Sequence, residues 1–234
     1  MKNEYIAIVI PAYNEEHSII KVLKSLPSNI KNYQIKIIVV NDGSTDNTAL
    51  VVDKFKNVIL INHIINSGAG AATRTGLHFA KSIGCKYIAT MDADGQHLPT
   101  DTVKALKYAV ENKTDLTIGS RLMTSEGMPW HKIIGNKGLS LITFLVFGVF
   151  VIDSQSGLKV FSKKAVENIN FHNNGYAFCS EVIWQAHKNH LSIVEIPIKA
   201  VYTEYSISKG QSNWNSIEIV RQLVKRRIME FING

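Results

Sequence analysis

The strongest constraint on the fold of this chain is a series of short apolar runs, each of which ends in a polar segment. Uninterrupted runs of this kind are typical of strands that are covered on both faces. Their alternation with predicted helices indicates an α/β fold with a mostly parallel sheet and helices on both faces. The predicted strands are residues 5–10, 35–40, 58–61, 87–91 and 116–120, and the predicted helices are 15–26, 49–55, 68–82 and 101–111.

The second half of the chain is less regular. Strands are predicted at residues 158–161 and 193–201, and a helix is predicted at 180–188. With 234 residues, 45% of them hydrophobic and 19% charged, the chain can bury a sizeable core and is neither disordered nor fibrous. We predict a single domain over residues 1–213, followed by a basic amphipathic helix over 214–234.

Composition also limits the compartment and the partners. The two cysteines, Cys85 and Cys179, exclude a disulfide scaffold and favour a reducing compartment. A net charge of +7 suits anionic partners, namely nucleotide phosphates, nucleic acid or an anionic membrane surface. The sequence contains no zinc-type spacing of histidines and cysteines, no G-x-S-x-G and no P-loop motif, so those site classes are excluded.

Two segments bear on membrane contact, and no secretory signal is visible before the first predicted strand. The longest uncharged stretch, residues 138–152, is shorter than the roughly 18–20 apolar residues that span a bilayer. It is either a buried helix that runs into a strand or a surface that dips into lipid or meets a lipid substrate. The helix predicted at 217–232 either lies on anionic lipid or packs on the domain with its basic face in solvent. Its apolar residues are Ile217, Val220, Val224, Ile228 and Phe231, and its cations are Arg221, Lys225, Arg226 and Arg227.

Asp92 and Asp94 directly follow a buried apolar strand and are separated by one residue. Two carboxylates at this spacing can face one divalent cation, because Mg²⁺ and Mn²⁺ prefer hard oxygen ligands and retain positions for phosphate oxygens. Gln96 adds a neutral oxygen two positions further along the chain. The alternative is a solvated turn or a helix cap, but the position after a buried strand favours a metal and phosphate site.

Polar segments after other strands should converge on the same edge of the sheet. Asp42 lies where a carboxylate can accept hydrogen bonds from a nucleobase or a ribose, whereas Asp46 is explained by capping the next helix. The glycine-rich segment 68–76 either cradles phosphate, with Arg74 as a phosphate ligand, or lets its helix pack closely on the sheet.

Three further groups have open assignments. Asp153 is a candidate base, an acceptor-site residue or a turn residue. Lys159 is a candidate anion binder, although most lysines are simply solvated. Residues 209–213 form either a lid over phosphates or an ordinary connection before the last helix.

Taken together and in this order, the motifs resemble family 2 glycosyltransferases with the GT-A (Rossmann-like) fold. The chain is most similar to the branch that contains dolichyl-phosphate mannose synthases and polyprenyl-phosphate glycosyltransferases. The motifs that carry the resemblance are PAYNEE at 11–16, NDGSTD at 41–46, residues 68–76, DADGQH at 92–97, GSR at 119–121, DSQSGLKVF at 153–161 and the region 202–212.

The resemblance implies a nucleotide-diphospho-sugar donor of the GDP-mannose or UDP-glucose type, a divalent cation (Mg²⁺ or Mn²⁺) and an inverting transfer. The implied metal ligands are Asp92, Asp94 and Gln96, with Ala93 beside them in the donor site. Arg121 and Lys209 are implied to bind phosphates of the donor or the acceptor. The implied nucleotide pocket consists of Pro11, Tyr13, Glu15, Val40 and Asp42.

The acceptor implied by the resemblance is a dolichyl or polyprenyl phosphate, reached from the cytoplasmic face of a membrane to which the protein is peripheral. Nucleic acid is not expected as a partner. An acceptor phosphate is already anionic, so no strong general base is needed. If the acceptor is instead the hydroxyl of a glycan or polysaccharide, a base is needed, and Asp153 is the candidate. A third alternative is a non-catalytic nucleotide-sugar-binding protein. The basic residues near the expected acceptor site are His131, Lys132 and Lys137.

Overall fold

The computed structural model describes residues 4–199, 201 and 213–233. A mixed eight-stranded sheet lies at its centre, and helices pack against both faces. The strands are β1 (Glu4–Ala12), β2 (Asn29–Ile30), β3 (Tyr33–Asn41), β4 (Val58–Asn62), β5 (Tyr87–Thr90), β6 (Leu116–Ser120), β7 (Lys159–Ser162) and β8 (Ile193–Pro197). The helices are α1 (Ile19–Ser25), α2 (Thr48–Asp53), α3 (Ala69–Ser82), α4 (Pro99–Asn112), α5 (Trp130–Phe147), α6 (Lys163–Asn168), α7 (Phe178–Lys188) and α8 (Asn213–Asn233).

The sheet combines a parallel half with an antiparallel insertion. Its order is β2-β3-β1-β5-β7-β6-β8, and β4 pairs with the part of β3 that β2 does not cover. Strand β1 is parallel to β3 and β5, β3 is parallel to β4, and β6 is parallel to β8. Strand β7 lies antiparallel between β5 and β6. The carboxyl ends of β1, β3, β5 and β6 therefore all lie at one edge of the sheet.

Two apolar layers hold the sheet in place. Along β1, Ala7 and Val9 point into one layer, whereas Ile6, Ile8 and Ile10 point into the other, as the two-residue period of a strand requires. The first layer is completed by α3, α5, α6, α7 and α8, and the second by α1, α2 and α4. Burial of both faces explains why these strands are uninterrupted apolar runs.

Several predicted boundaries shift for local reasons. Strand β1 continues through Pro11 to Ala12, because these residues still lie in register with β3. Helix α1 begins at Ile19 instead of residue 15, because Asn14 has a left-handed backbone (φ 53°) and residues 13–18 form turns. The predicted strand 193–201 ends at Pro197, where its partner β6 also ends.

The uncharged stretch 138–152 forms the second half of α5, but it does not continue into a strand. The helix stops at Gly148, which has a left-handed backbone (φ 73°) and donates its N–H to the carbonyl of Phe144. The backbone N–H groups of Ile152 and Asp153 then donate to the carboxylate of Glu195 instead of joining a strand ladder. The helix is buried on one side and exposed on the other, since Leu139, Thr143 and Phe147 are buried while Leu141 and Leu145 are exposed. Contact of the exposed side with lipid stays a prediction.

Helix α8 packs on the domain, chiefly against α5, and buries Ile219 and Leu223 in the first apolar layer. Ile217, Val224 and Ile228 are exposed, and Phe231 lies outside the residues whose side chains are described. Within the described ranges, no helix combines the length and the apolar character that a bilayer span requires.

Candidate active site

A cleft of about 930 Å³ opens at the edge of the sheet where the parallel strands end. The segments after β1, β3, β5 and β6 all contribute to its walls, as expected for a ligand site in an α/β sheet. The start of α5 and the loop before α7 complete it. Its principal polar lining residues are Tyr13, Asn14, Glu15, Asp42, Asn66, Asp92, Asp94, Gln96, Arg121, His131, Lys132, Asn136, Gln155 and Tyr176.

The acidic pair Asp92 and Asp94 lies at the centre of the cleft. Burial and then the charge of Asp92 raise the pKa of Asp94 to about 6, and burial raises the pKa of Asp92 as well. Asp94 Oδ1 accepts a hydrogen bond of 2.9 Å from the backbone N–H of Gln96, which fixes the turn between them. Two carboxylates are thus held close together on the partly enclosed wall of the cleft, where the charge of Asp92 disfavours ionisation of Asp94.

Gly157 is what allows Asp92 to occupy its place. A Cβ atom at residue 157 would lie 2.4 Å from Oδ1 and 2.5 Å from Oδ2 of Asp92, closer than real Cβ atoms approach other atoms. The carboxylate therefore lies directly on the backbone of the segment that precedes β7. No signal in the sequence identifies this contact, because the two residues are 65 positions apart.

His97 is a buried side chain that contacts Asp92 of the acidic pair. Its Nδ1 lies 3.3 Å from the backbone nitrogen of Asp92 and 3.3 Å from Asp92 Oδ2, and its side chain is buried. Burial and then the positive charge of Arg121 lower the pKa of His97 to about 4. The imidazole is therefore neutral at physiological pH, and it contributes position instead of charge.

The acidic pair fits a divalent cation. A cation would relieve the repulsion that raises the pKa of Asp94, and carboxylate oxygens are hard ligands of the kind that Mg²⁺ and Mn²⁺ prefer. Among the described residues no group of three or more acidic, histidine or cysteine side chains is placed to hold a metal. Two carboxylates leave coordination positions for phosphate oxygens and water, which is how Mg²⁺ is usually bound beside phosphates.

Arg121 and Asp153 form a buried ion pair next to the acidic pair. Arg121 donates from Nε to Asp153 Oδ2 and from Nη2 to Oδ1, both at 2.8 Å, and its backbone N–H donates to Oδ2 at 3.0 Å. Burial alone would raise the pKa of Asp153, but the charge and hydrogen bonds of Arg121 hold it below its usual range. Asp153 is fully buried and absent from the lining of the cleft, so the geometry favours a positioning role over a role as base.

The predicted nucleotide residues separate into two groups. Pro11, Tyr13, Glu15 and Asp42 line the cleft, whereas Val40 is fully buried in the first apolar layer. The carboxylate of Asp42 also organises the loop after β4.

That loop is bound to Asp42 by three hydrogen bonds. Oδ1 lies 2.7 Å from His63 Nδ1 and accepts from Ser67 N–H at 3.0 Å, and Oδ2 accepts from Gly68 N–H at 2.8 Å. His63 Nε2 is in turn 3.0 Å from Thr75 Oγ1 on α3. Asp42 therefore shapes the wall of the cleft, and His63 is a supporting residue that the sequence analysis missed.

The glycine-rich segment serves close packing. A Cβ at Gly76 would lie 2.2 Å from Val9 Cγ1, and a Cβ at Gly70 would lie 2.2 Å from the carbonyl oxygen of Asn173. Arg74 donates to Asn174 Oδ1 at 2.8 Å and lies 5.8 Å from the centre of the Phe171 ring. The packing interpretation thus accounts for these residues, and Arg74 binds a neighbouring loop.

Lys159, a candidate anion binder, lies outside the cleft, and the implied phosphate ligand Lys209 is not described. Lys159 is 1% exposed in β7 and donates from Nζ to the carbonyl of Ser156, so it is a buried structural cation. Lys209 falls outside the described residues, as does the rest of the region 202–212.

Two of the three basic residues expected near the acceptor, His131 and Lys132, line the cleft, whereas Lys137 does not. His131 and Lys132, in the first turn of α5, face the cleft together with Asn136. Burial and then the charge of Arg121 lower the pKa of Lys132. Across the cleft, Tyr176 is 48% exposed, and burial followed by the charges of Asp92 and Asp94 raises its pKa to about 12. Tyr176 was not predicted, because no strand or helix motif marks its loop.

A sequence model of the family described as glycosyl transferase family 2 matches residues 7–169. A UDP-N-acetylglucosamine–dolichyl-phosphate N-acetylglucosaminyltransferase from Methanococcus voltae is 38% identical to this chain over 246 residues, with 96% of each protein covered. A polyprenol monophosphomannose synthase from Mycolicibacterium smegmatis is 29% identical over 213 residues, which cover 86% of this chain and 79% of the relative.

Among solved structures, glucosyl-3-phosphoglycerate synthase from Mycobacterium tuberculosis, in complex with Mn²⁺, UDP and phosphoglyceric acid, has a TM-score of 0.72. The superposition covers 97% of this chain and 78% of that one, at 17% sequence identity. At this identity the likeness shows the fold, and it confirms the predicted α/β class.

Proposed function

Because the chain belongs to glycosyltransferase family 2, we propose that it transfers a sugar from a nucleotide-diphospho-sugar to the phosphate of a dolichyl or polyprenyl lipid. The single observation that carries this proposal is that Asp92 and Asp94 line the same cleft as three basic side chains, Arg121, His131 and Lys132, which we call the basic wall. An acidic centre suits a cation and a diphosphate, and a basic wall suits a second phosphate. The named relatives, which act on dolichyl or polyprenyl lipids according to their names, support this acceptor class.

The donor side of the reaction is assigned to the segments after β1, β3 and β5. Pro11, Tyr13, Glu15 and Asp42 form the wall that would receive the nucleoside, and Asp92, Asp94 and Gln96 would hold Mg²⁺ or Mn²⁺ together with the diphosphate. When bound, the cation supplies charge stabilisation to the departing diphosphate. UDP-N-acetylglucosamine is the first donor to test, because the 38% identical relative is named for it; GDP-mannose and UDP-glucose follow.

The acceptor side needs alignment and charge more than a base. Lys132, His131 and Asn136 would bind the acceptor phosphate, whose oxygen is already anionic at neutral pH and attacks the anomeric carbon directly. This attack inverts the anomeric configuration. The buried pairing of Asp153 with Arg121 argues against Asp153 as the base that a hydroxyl acceptor would need, since that base must face the cleft.

A membrane surface is the proposed route for the acceptor. Helix α5, which supplies Lys132 and Asn136 to the cleft, exposes a row of large apolar side chains on its outer side. Helix α8 packs beside it and exposes further apolar residues and cations. An interfacial surface of this kind buries apolar side chains in lipid and draws about 1 kcal/mol from each cation near an anionic leaflet. The exposed apolar residues are Trp130, Ile134, Leu141, Phe144, Leu145, Phe150, Ile217, Val224, Ile228 and Met229.

We assign this surface to the cytoplasmic face, where the two buried free thiols are stable. Sedimentation with anionic liposomes tests the assignment. The Leu145→Glu variant should sediment far less than the wild type, whereas Leu50→Glu, which places the same single charge on a similarly exposed leucine of α2, should sediment with the wild type. Equal sedimentation of all three proteins would place the membrane contact elsewhere.

The transfer reaction itself is tested with labelled UDP-N-acetylglucosamine and two matched acceptors, a polyprenyl phosphate and the corresponding polyprenol. The proposal expects a labelled, butanol-extractable product with the phosphate only, and none with the Asp94→Asn variant. Equal transfer to the alcohol would contradict the assignment of the basic wall. A panel of other nucleotide sugars in the same assay identifies the donor.

A further inference from the structure

The loop that carries Tyr176 is bound from two sides. On one side, the carbonyl of Asn174 accepts a 2.7 Å hydrogen bond from the N–H of Gly70, at the start of α3. Arg74 donates to the side chain of the same asparagine at 2.8 Å. Gly175 and Tyr176, the next residues, line the cleft that contains the acidic pair, and the charges of Asp92 and Asp94 act on Tyr176.

On the other side, the loop is held by Glu181 of α7. Its Oε2 accepts hydrogen bonds from the backbone N–H groups of His172 at 3.0 Å and Asn173 at 2.9 Å. Glu181 is 3% exposed, so its carboxylate is a buried charge. A buried carboxylate is costly unless a cation compensates it.

The compensating cation comes from the C-terminal helix. Arg226 Nε lies 3.1 Å from Glu181 Oε1, and both atoms are inaccessible to solvent. The two side chains form an ion pair, and these two atoms are not joined by a hydrogen bond. The guanidinium also lies 5.4 Å from the centre of the Trp184 ring. One turn earlier in α8, Gln222 Oε1 accepts a hydrogen bond from Asn173 Nδ2 at 2.5 Å.

We infer that Arg226 is a positioning residue: through Glu181 it holds the 172–176 loop, and hence Tyr176, in place at the cleft. Helix α8 then helps to position an active-site loop, in addition to its proposed contact with the membrane. Arg227, the next residue of α8, does not have this role, because it pairs with Glu230 of its own helix at 3.0 Å. Removing Arg226 leaves Glu181 buried without this cation, so its hold on the two loop amides weakens.

Hydrogen exchange of the full chain tests this inference, with Arg226→Gln and Arg227→Gln as a matched pair that loses the same charge from the same helix. Arg226→Gln should raise amide exchange in peptides covering 172–176 by about tenfold or more and leave the central strands unchanged. Arg227→Gln should not, and Arg226→Lys, which keeps the charge, should restore most of the protection. Equal exchange at 172–176 in both glutamine variants would overturn the inference.

A second, kinetic test of Arg226 rests on the proposed function. With a short-chain polyprenyl phosphate in detergent, where membrane attachment is not needed, Arg226→Gln should lower kcat by about tenfold with little change in the donor KM. The donor wall at residues 11–15 lies on other elements, so its affinity should persist. An unchanged kcat would remove the catalytic part of the inference. A wild type without transfer activity but with the expected exchange pattern would instead contradict the proposed function alone.

A double variant covers the case in which Arg226→Gln does not fold. Glu181→Gln/Arg226→Gln removes both charges, so it leaves no uncompensated buried carboxylate. Its loop should exchange at about the same rate as in the Glu181→Gln single variant, because Arg226 holds the loop only through Glu181. Clearly faster exchange in the double variant than in Glu181→Gln would show that Arg226 does not act through Glu181.

Discussion

Gly157→Ala tests how the cleft positions its acidic pair. Residue 157 needs no special backbone conformation, since its φ is not positive, so alanine introduces a methyl group and little else. That methyl group would lie 2.4 and 2.5 Å from the two carboxylate oxygens of Asp92, whereas real Cβ contacts are essentially never below 3.0 Å. The carboxylate must therefore move by at least about 0.5 Å, which exceeds the roughly 0.2 Å tolerance of metal–ligand distances.

We expect Gly157→Ala to lower the rate of transfer more than the free energy of unfolding. The side chain of Asp92 is 44% exposed towards the cleft, so it can swing away from the methyl group at a cost of about 1 kcal/mol. Under the proposed function, the displaced carboxylate would no longer hold the cation and diphosphate in line with the acceptor, and a misplacement of this order would cost about 10²-fold in kcat. The affinity for Mn²⁺, measured by titration of activity, should fall as well.

Gly138→Ala is the matched control, because a methyl group there meets no atom within 4 Å and lies in the interior of α5. It should keep full activity and gain up to about 1 kcal/mol from helix propensity. A Gly157→Ala enzyme with wild-type kcat and metal dependence would refute the account of the Asp92 position.

Three further predictions follow from the same geometry. Asp94→Asn should abolish transfer and raise the Tm of the protein in EDTA. The folded-state pKa of Asp94 is about 6, above its ordinary value, so the wild type loses stability as pH rises from about 4 to 6. The higher stability of the variant should therefore be present at about pH 8 and shrink by about pH 4. Asp153→Asn should cost about 3–5 kcal/mol in denaturant unfolding, because Arg121 is left buried beside a neutral amide, and an unchanged midpoint would contradict the buried ion pair. Gly70→Ala should lower stability by about 1–3 kcal/mol, since its methyl group would lie 2.2 Å from the backbone oxygen of Asn173, and no loss in thermal unfolding would show that the loop can move away.

Much of the fold could be predicted from local sequence. Buried strands in this class are continuous apolar runs, and each predicted strand of the first half is present. The position of polar residues after these strands was enough to bring Asp42 and Asp92 to one cleft, because carboxyl ends of parallel strands share an edge. The predicted family is likewise confirmed.

Other features depend on contacts between residues far apart in the chain. The sequence left the role of Asp153 open among a base, an acceptor-site residue and a turn residue. Its ion pair with Arg121, which is 32 residues earlier in the chain, is visible only in the structure. The antiparallel insertion of β7 has no local signal, although it is what brings Gly157 under Asp92. Tyr176 lies in an irregular loop whose position depends on α3, α7 and α8, so the sequence pattern around it predicted nothing.

Under the proposed function, the acceptor phosphate attacks the sugar directly, without a covalent enzyme intermediate and without a base from this chain. The anomeric configuration of the product distinguishes this single displacement from a double displacement. With UDP-N-acetylglucosamine, in which the sugar is α-linked, and a polyprenyl phosphate, NMR of the lipid product should show a β-linked sugar phosphate. An α-linked product would require two displacements or a different geometry, and it would contradict this account of the cleft.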